Sequence, residues 1–311
     1  MKKMKHLFLV VIAMLVLAAC SMNSPATEDS EGTGDSNEGA KEGTMKIGFS
    51  ISTLNNPFFV TLSDGAKAVS EEKGIELVII DAQDDASKQA SDVEDLIQQG
   101  IDLLLINPVD SSAVGSAVES ANASGIPVIT VDRSADSGEV VSHIASDNVA
   151  GGKLAGEYLL ELAGEGAVVA MLEGVPGSSA ARDRGAGFLE AVEGKVDLVS
   201  SQTANFNRSE GLTVMENMLQ AHPNIEAVFA QNDEMALGAI EAIAAAGKDI
   251  IVIGFDATDD AVAKIEAGEM EASVAQKPEE IGRTAVETAF KHLNGESVED
   301  FVPVELELVK Q

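Results

Sequence analysis

Residues suited to gripping hydroxyl groups recur in this sequence immediately after short apolar runs. Asn55, Asn56, Phe58 and Phe59 follow Lys46 to Ile51, Asn107 and Pro108 follow Leu103 to Ile106, and Asp132 and Arg133 follow Val128 to Val131. Asn205 and Phe206 come after Val196 to Ser200, and Gln231, Asn232 and Asp233 after Ala227 to Ala230. Phe255 and Asp256 come after Ile250 to Gly254, and Gln276 after Ala272 to Ala275. A hydroxyl both gives and takes a hydrogen bond. Carboxamides do the same, a carboxylate accepts from two adjacent hydroxyls, and a guanidinium fork donates to their oxygens. Phenylalanine adds a flat apolar face, and with no Trp and one Tyr it must supply any stacking. A polar rim around a C–H face describes a small sugar. Arg182 and Arg184 open a further predicted helix; one is expected to face the cleft while the other pairs with Asp183 or a neighbouring carboxylate.

Signatures of catalysis are thin. His143, His222 and His292 are scattered without metal-ligand spacing. Gly151-Gly152-Lys153 lacks both the earlier glycine and the following hydroxyl residue of a phosphate loop, and no Gly-x-Ser-x-Gly occurs. Asp81, Gln83, Asp85 and Ser87 loosely suggest a calcium loop. Ala86 stands where glycine is needed, however, and Asp92 replaces the closing glutamate, so a helix cap is the better reading. Asp132 and Asp256 have the residue types of a glycosidase pair, yet each stands beside a ligand-gripping neighbour. The expectation is a binding protein, not an enzyme, with no cofactor and no metal.

The elements that must position these residues follow from periodicity. The apolar runs named above, with Glu76 to Ile80, Val141 to Ala145 and Val168 to Leu172, read as strands. They alternate with helical patterns at Phe58 to Lys73, Ser87 to Gln99, Ser111 to Ser124, Asn148 to Ala163, Ala180 to Val192, Arg208 to Gln220 and Asp233 to Ala246. Gly74, Gly100, Gly125 and Gly247 sit where helix C-caps belong. Such alternation predicts an α/β fold of parallel sheets covered by helices on both faces. About ten strands divide more naturally into two similar doubly wound lobes than into one large sheet, and Ser146-Asp147-Asn148 is a plausible crossing between them. Ligands of open α/β sheets bind outside the carboxyl ends of the strands, where the polar and aromatic residues collect.

The N-terminus carries a different message. Lys2, Lys3 and Lys5 precede an apolar run from Leu7 to Leu17, followed by Ala18-Ala19-Cys20. This predicts a signal peptide over 1–19, too short to remain as a membrane span. The placement of Cys20, the single cysteine of the chain, resembles the lipobox of bacterial lipoproteins and marks it for lipidation. Residues 20–44 then form a lipidated cysteine and a polar tether unable to bury a core. The net charge of −32 disfavours nucleic acid and anionic lipid as partners and suits a neutral solute.

Several stretches resemble a known family. They are Ser-Thr-Leu-Asn-Asn-Pro-Phe-Phe (52–59), Leu-Ile-Asn-Pro (105–108), Val-Asp-Arg (131–133), Val-Val-Ser-His-Ile-Ala-Ser-Asp-Asn (140–148), Ala-Gln-Asn-Asp-Glu-Met-Ala-Leu-Gly (230–238) and Gly-Phe-Asp (254–256). From Met45 to the C-terminus the chain is similar to the periplasmic (type I) sugar-binding proteins of ABC importers, and within them to the branch that binds D-ribose. The resemblance implies two lobes joined by a three-segment hinge, the first lobe being 45–146 plus 277–305 and the second 147–276 plus 306–311. It implies ribose contacts at Asn56, Phe58, Phe59, Asn107, Asp132, Arg133, Arg184, Phe206, Asn232, Asp256 and Gln276, with Phe58, Phe59 and Phe206 sandwiching the ring. Asn205 and Asn207 flank Phe206 where the family often has acids, a conservative departure. Also implied are an ABC permease as partner and a monomer; the signal, cysteine and tether differ from the freely diffusing form and suggest an anchor on the outer face of the cell membrane of a Gram-positive bacterium. Another small sugar, such as allose or autoinducer-2, is the alternative ligand. A sugar-responsive repressor would need a basic DNA-binding segment ahead of Met45, where this chain has an export signal and an acidic tether.

Overall fold

The computed structural model describes residues 44–311. The signal peptide, Cys20 and all but the last residue of the tether lie outside the described residues. Strand β1 (Lys46–Ile51) leads into helix α1 (Pro57–Lys73), followed by β2 (Glu76–Asp81), α2 (Ala86–Gln98), β3 (Leu103–Ile106), α3 (Gly115–Ala123), β4 (Val128–Val131) and β5 (Ser142–Ser146). A second run of alternation comprises α4 (Asn148–Ala163), β6 (Val168–Glu173), α5 (Ser179–Val192), β7 (Asp197–Thr203), α6 (Arg208–Ala221), β8 (Ala227–Ala230), α7 (Asp233–Ala245), β9 (Ile251–Asp256), α8 (Asp259–Glu266) and β10 (Ala272–Ala275). The chain ends with α9 (Pro278–Leu293), β11 (Phe301–Val304) and β12 (Glu307–Lys310).

Two six-stranded sheets result, ordered β2-β1-β3-β4-β5-β11 and β7-β6-β8-β9-β10-β12. Every neighbouring pair is parallel except β10 with β12, where Ala275 faces Glu307. The first sheet is formed up to β5 and completed by β11, which pairs Phe301 with His143. Three passages therefore link the sheets: between β5 and α4, between β10 and α9, and across Glu305 and Leu306 between β11 and β12. In each sheet the strand order reverses at the first strand, so a switch point lies between β1 and β3 and another between β6 and β8. Crevices at such points are where ligands of this architecture bind.

Each lobe is a three-layer sandwich. In the first, α1 and α9 cover one face over Phe49, Ile51, Leu105 and Ile129, and α2 and α3 cover the other over Leu104, Ile106 and Val128. In the second, α4 and α5 pack over Phe229, Ile253 and Phe255, with Phe188 stacked on Phe229 at 4.7 Å, while α6 and α7 pack over Val228, Val252 and Met270. Three helix pairs approach closely because glycines face carbonyls reciprocally: Gly65 and Gly282 between α1 and α9, Gly152 and Gly187 between α4 and α5, and Gly211 and Gly238 between α6 and α7. A β-carbon at any of them would collide with the opposing backbone. Gly152 faces the carbonyl of Arg184, so this close packing fixes the height at which that arginine leaves α5.

The strand and helix expectations hold for the elements up to 246, with shifts at the ends. Strand β9 runs two residues past Gly254, which makes Phe255 a core residue and not an exposed strand-end aromatic. The segment 81–87 is a turn and cap: Asp85 accepts from the N–H groups of Ser87 (2.8 Å) and Lys88 (3.0 Å). Four elements, α8, α9, β11 and β12, have no counterpart among the elements expected from periodicity.

Candidate ligand-binding site

The first lobe's wall begins with Asn56, whose Oδ1 caps α1 by accepting from the Phe58 N–H at 2.9 Å. Pro57 occupies the first helical turn, where its missing N–H costs nothing. The cap sets Phe58 and Phe59 edge to face, ring centres 5.2 Å apart, beside the end of β1. Asn107, just past β3, splints three strand ends. Its Oδ1 accepts from the Ser52 N–H (3.1 Å), and its Nδ2 donates to the Val131 carbonyl (2.9 Å) and to Asp132 Oδ2 (3.3 Å). Asp132 follows β4 at φ 63°, a left-handed conformation held by its N–H donating to the Ile144 carbonyl (2.8 Å). Arg133 donates from Nη1 to the Pro108 carbonyl (3.1 Å), and its guanidinium lies 5.1 Å from the Phe59 ring centre and 5.4 Å from that of Phe206.

On the opposite wall Arg184 is clamped on three sides. Nε donates to Asn148 Oδ1 (2.8 Å), Nη1 donates to the Gln231 carbonyl (2.8 Å), and the guanidinium stacks over Phe255 at 3.9 Å. Asp256 ends β9 with Oδ1 accepting from Gln276 Nε2 (2.8 Å), 3.7 Å from Arg184 Nη1. Asn205 and Phe206 both sit in the left-handed region, at φ 51° and 57°, and bring the Phe206 ring across the cleft. Gly174 makes room for that ring, since a β-carbon there would meet it. Asn232 caps α7 by accepting from the Met235 N–H (3.0 Å) and donates from Nδ2 to the Phe206 carbonyl (3.3 Å).

These two walls face one cavity, lined by Asn56, Phe58, Phe59, Asp132 and Arg133 from one lobe and Ala180, Arg184, Phe206, Asn232 and Asp256 from the other. Two predicted residues do not line it. Asn107 stands behind Asp132, and Gln276 stands beside Asp256 in an adjoining groove. Of the two arginines left open, Arg184 faces the cavity and Arg182 pairs with Asp136 across the lobes at 3.0 Å. Further bonds join the lobes directly. The Ser111 N–H donates to the Gly177 carbonyl (2.9 Å), the Ser179 N–H to Ser111 Oγ (3.1 Å), and the Ser134 N–H to Ser179 Oγ (2.9 Å).

The electrostatics are those of a dry polar site. Asp132, Arg133 and Arg184 are each 3% exposed and Asp256 7%. Burial pushes both carboxyls above their ordinary range, against the opposing pull of Arg133 on Asp132 and of Arg184 on Asp256. Burial likewise lowers both guanidinium pKa values, though a guanidinium keeps its charge. Asp132 Oδ1, Arg133 Nε and Gln276 Oε1 are buried without a hydrogen-bond partner among the described residues. Orphaned acceptors and a donor at one site are costly unless a ligand with both functions meets them.

A cleft between two similar α/β lobes, lined by one carboxylate–guanidinium pair from each, defines a solute-binding protein that encloses a small polar molecule. The comparisons agree. The periplasmic binding protein domain matches residues 47–297, and the chain belongs to that family. It is 52% identical over 303 residues to the ribose import binding protein of Bacillus subtilis, with 97% of each chain covered. To the Escherichia coli protein of the same name it is 49% identical over 308 residues, covering 98% of each. Among solved structures, an ABC transporter solute-binding protein from Mycobacterium smegmatis with bound glycerol superposes with a TM-score of 0.83 at 41% identity, covering 86% of this chain and 94% of that one.

Some of the site's machinery does not stand out in the sequence. Ala180 gives only a methyl, which carries no chemical signal. Asn148, placed at a crossing point, turns out to hold Arg184. Gln231, at its strand end, serves through its backbone carbonyl and a side chain that accepts from the Gly174 N–H (2.8 Å).

Proposed function

We propose that this protein captures D-ribose in the interlobe cavity and delivers it to the permease of an ABC importer. The observation that carries the reading is the pair of buried carboxylate–guanidinium couples, Asp132–Arg133 and Arg184–Asp256, facing one cavity from opposite lobes. Each carboxylate accepts from ring hydroxyls, each guanidinium donates to their oxygens, and Phe58, Phe59 and Phe206 cover the ring faces. The names of the ribose import relatives support the choice of sugar. Asn107 and Gln276 serve the same site from behind, by holding Asp132 and Asp256.

Only the closed arrangement offers both couples at once, so a sugar touching both stabilises it over the open one. The three passages between the sheets act as the hinge, with 45–146 plus 277–305 moving against 147–276 plus 306–311. The sugar leaves unaltered, since the site presents grips for hydroxyls and no activated nucleophile. The protein acts as a monomer outside the cytoplasm, tethered to the cell membrane by lipid on Cys20.

Calorimetric titration with D-ribose, alongside D-allose, D-glucose and D-xylose, tests the ligand. Binding of ribose at micromolar concentration or tighter, with the others far weaker, is the expected result. Preference for another sugar would keep the transport role and remove ribose; no binding of any sugar would overturn the reading. Incorporation of labelled fatty acid, lost in Cys20→Ala, tests the anchor.

A further inference from the structure

The turn that presents Asp256 is strained. Asp256 has φ 114° and Ala257 φ 52°, two consecutive non-glycine residues in a region that L side chains rarely adopt. Such a conformation persists only where its surroundings hold it. Those surroundings converge on one buried carboxylate that does not line the cavity, Asp233 at the start of α7. Its Oδ2 accepts from the Thr258 N–H (2.7 Å) and hydroxyl (3.2 Å), immediately after the strained pair. Its Oδ1 accepts from the Ser273 hydroxyl (2.7 Å), and Ser273 Oγ in turn accepts from the Ala257 N–H (2.9 Å). The strained residue and the one after it are thus tied to a single side chain on another element. Gly254 completes the arrangement, because a β-carbon there would collide with Asp233 Oδ1.

We infer that Asp233, acting through Ser273 and Thr258, is the positioning residue that holds the Asp256 turn in its ligand-gripping conformation. The inference rests on the reading of Asp256 as a sugar contact. Asp233 lies in the first turn of α7, just after the Asn232 cap, so the brace is anchored at a capped helix start. Without it, the turn relaxes toward negative φ and the Asp256 carboxylate swings away from the position set by Gln276 and Arg184.

A double-mutant cycle on the full-length protein tests this, with ribose affinity read by calorimetry and folding by thermal melting. Ser273→Ala is expected to weaken binding roughly tenfold, the scale of one lost hydrogen bond and the geometry it secures. Thr258→Ala, at a half-buried position, should weaken it by a smaller factor and keeps the test alive should Ser273→Ala fold poorly. Asp256→Ala should lose far more, and Ser273→Ala added to it should cost nothing further. A merely structural serine would lower the melting temperature and leave the two effects on affinity additive. Wild-type affinity in both Ser273→Ala and Thr258→Ala, or additivity with Asp256→Ala, would overturn the brace while leaving the sugar site intact. Wild-type affinity in Asp256→Ala would instead remove Asp256 as a contact, and the brace with it.

Discussion

In the first lobe the cavity's carboxylate and guanidinium are consecutive residues, Asp132 and Arg133; in the second, Arg184 comes from α5 and Asp256 from β9. The scaffolds beneath them nonetheless correspond. The third strand of each sheet's order, β3 or β8, is followed by a carboxamide residue whose side-chain oxygen accepts a backbone N–H just past the neighbouring first strand. Asn107 takes that of Ser52 and Gln231 that of Gly174. Both carboxylates follow or end the next strand out, and both have positive φ. The difference lies in what happens next. Asn107 reaches on to Asp132 itself, whereas Gln231 Nε2 ends on the Met171 sulfur (3.7 Å), and Asp256 depends on Gln276 and the turn behind it. One wall is built from close neighbours in sequence and the other from widely separated ones, to present the same pair of charges.

The sharpest test of that equivalence removes one charge from each wall. Asp132→Ala and Asp256→Ala should each cost about 3–5 kcal/mol of ribose binding, because each leaves a buried guanidinium uncompensated. Calorimetry showing a large loss at one wall and none at the other would break the comparison. Next in size are the splints. Asn107→Ala strands the Ser52 N–H, at about 1–3 kcal/mol for a buried orphan, and also takes one hydrogen bond from the Val131 carbonyl, which keeps the Arg133 N–H, and one from Asp132. Gln231→Ala strands only the Gly174 N–H and should cost less in denaturant unfolding.

A pH series sharpens the same contrast. A carboxyl whose folded pKa is raised binds its proton more tightly folded than unfolded, so its contribution to stability falls as pH rises above the unfolded value of 3.8. Sugar-free Asp132→Asn and Asp256→Asn proteins should therefore gain on wild type between pH 4 and neutrality, by about 1.4 kcal/mol for every tenfold by which folding tightens the carboxyl's hold on its proton. Unfolding curves across that range would show it; a constant difference would mean the carboxyls are not raised. The smallest effect belongs to Arg182→Ala. Its ion pair with Asp136 is exposed and should change stability by no more than ~1 kcal/mol, easily seen to fade with added salt.

The legibility of the two walls from sequence follows the same division. Val-Asp-Arg announces itself, because adjacent residues at one strand end must reach one place. Asp256 and Arg184 are distant in sequence, and the residues alone leave open which of Arg182 and Arg184 shares the cleft with Asp256; only the family resemblance chooses Arg184. The brace of Asp233, Ser273 and Thr258 leaves no trace in periodicity, since its members are small polar residues on three different elements. The strands β1, β3, β4, β8 and β10 are legible to the residue because short, largely apolar runs of four to six residues have one reading. Strands β11 and β12 are not, for edge strands carry few packing constraints: Phe301 is exposed, Pro303 interrupts one, and Glu307 and Lys310 bound the other. Helix α9 is a different case, since its stripe of Ile281, Ala285, Val286 and Ala289 has helical spacing that periodicity alone can reveal.

The C-terminal segment that serves both sheets bears on how the molecule is made. Helix α9 covers the face of the first lobe that α1 begins, β11 completes that lobe's sheet, and β12 completes the other's. A chain emerging from a ribosome N-terminus first therefore cannot close either lobe until β11 and β12 have appeared. Domains that finish early can fold while synthesis continues; here neither is finished early. For a polypeptide threaded through a pore unfolded, as the export proposed above requires, such lateness would be an advantage written into the topology.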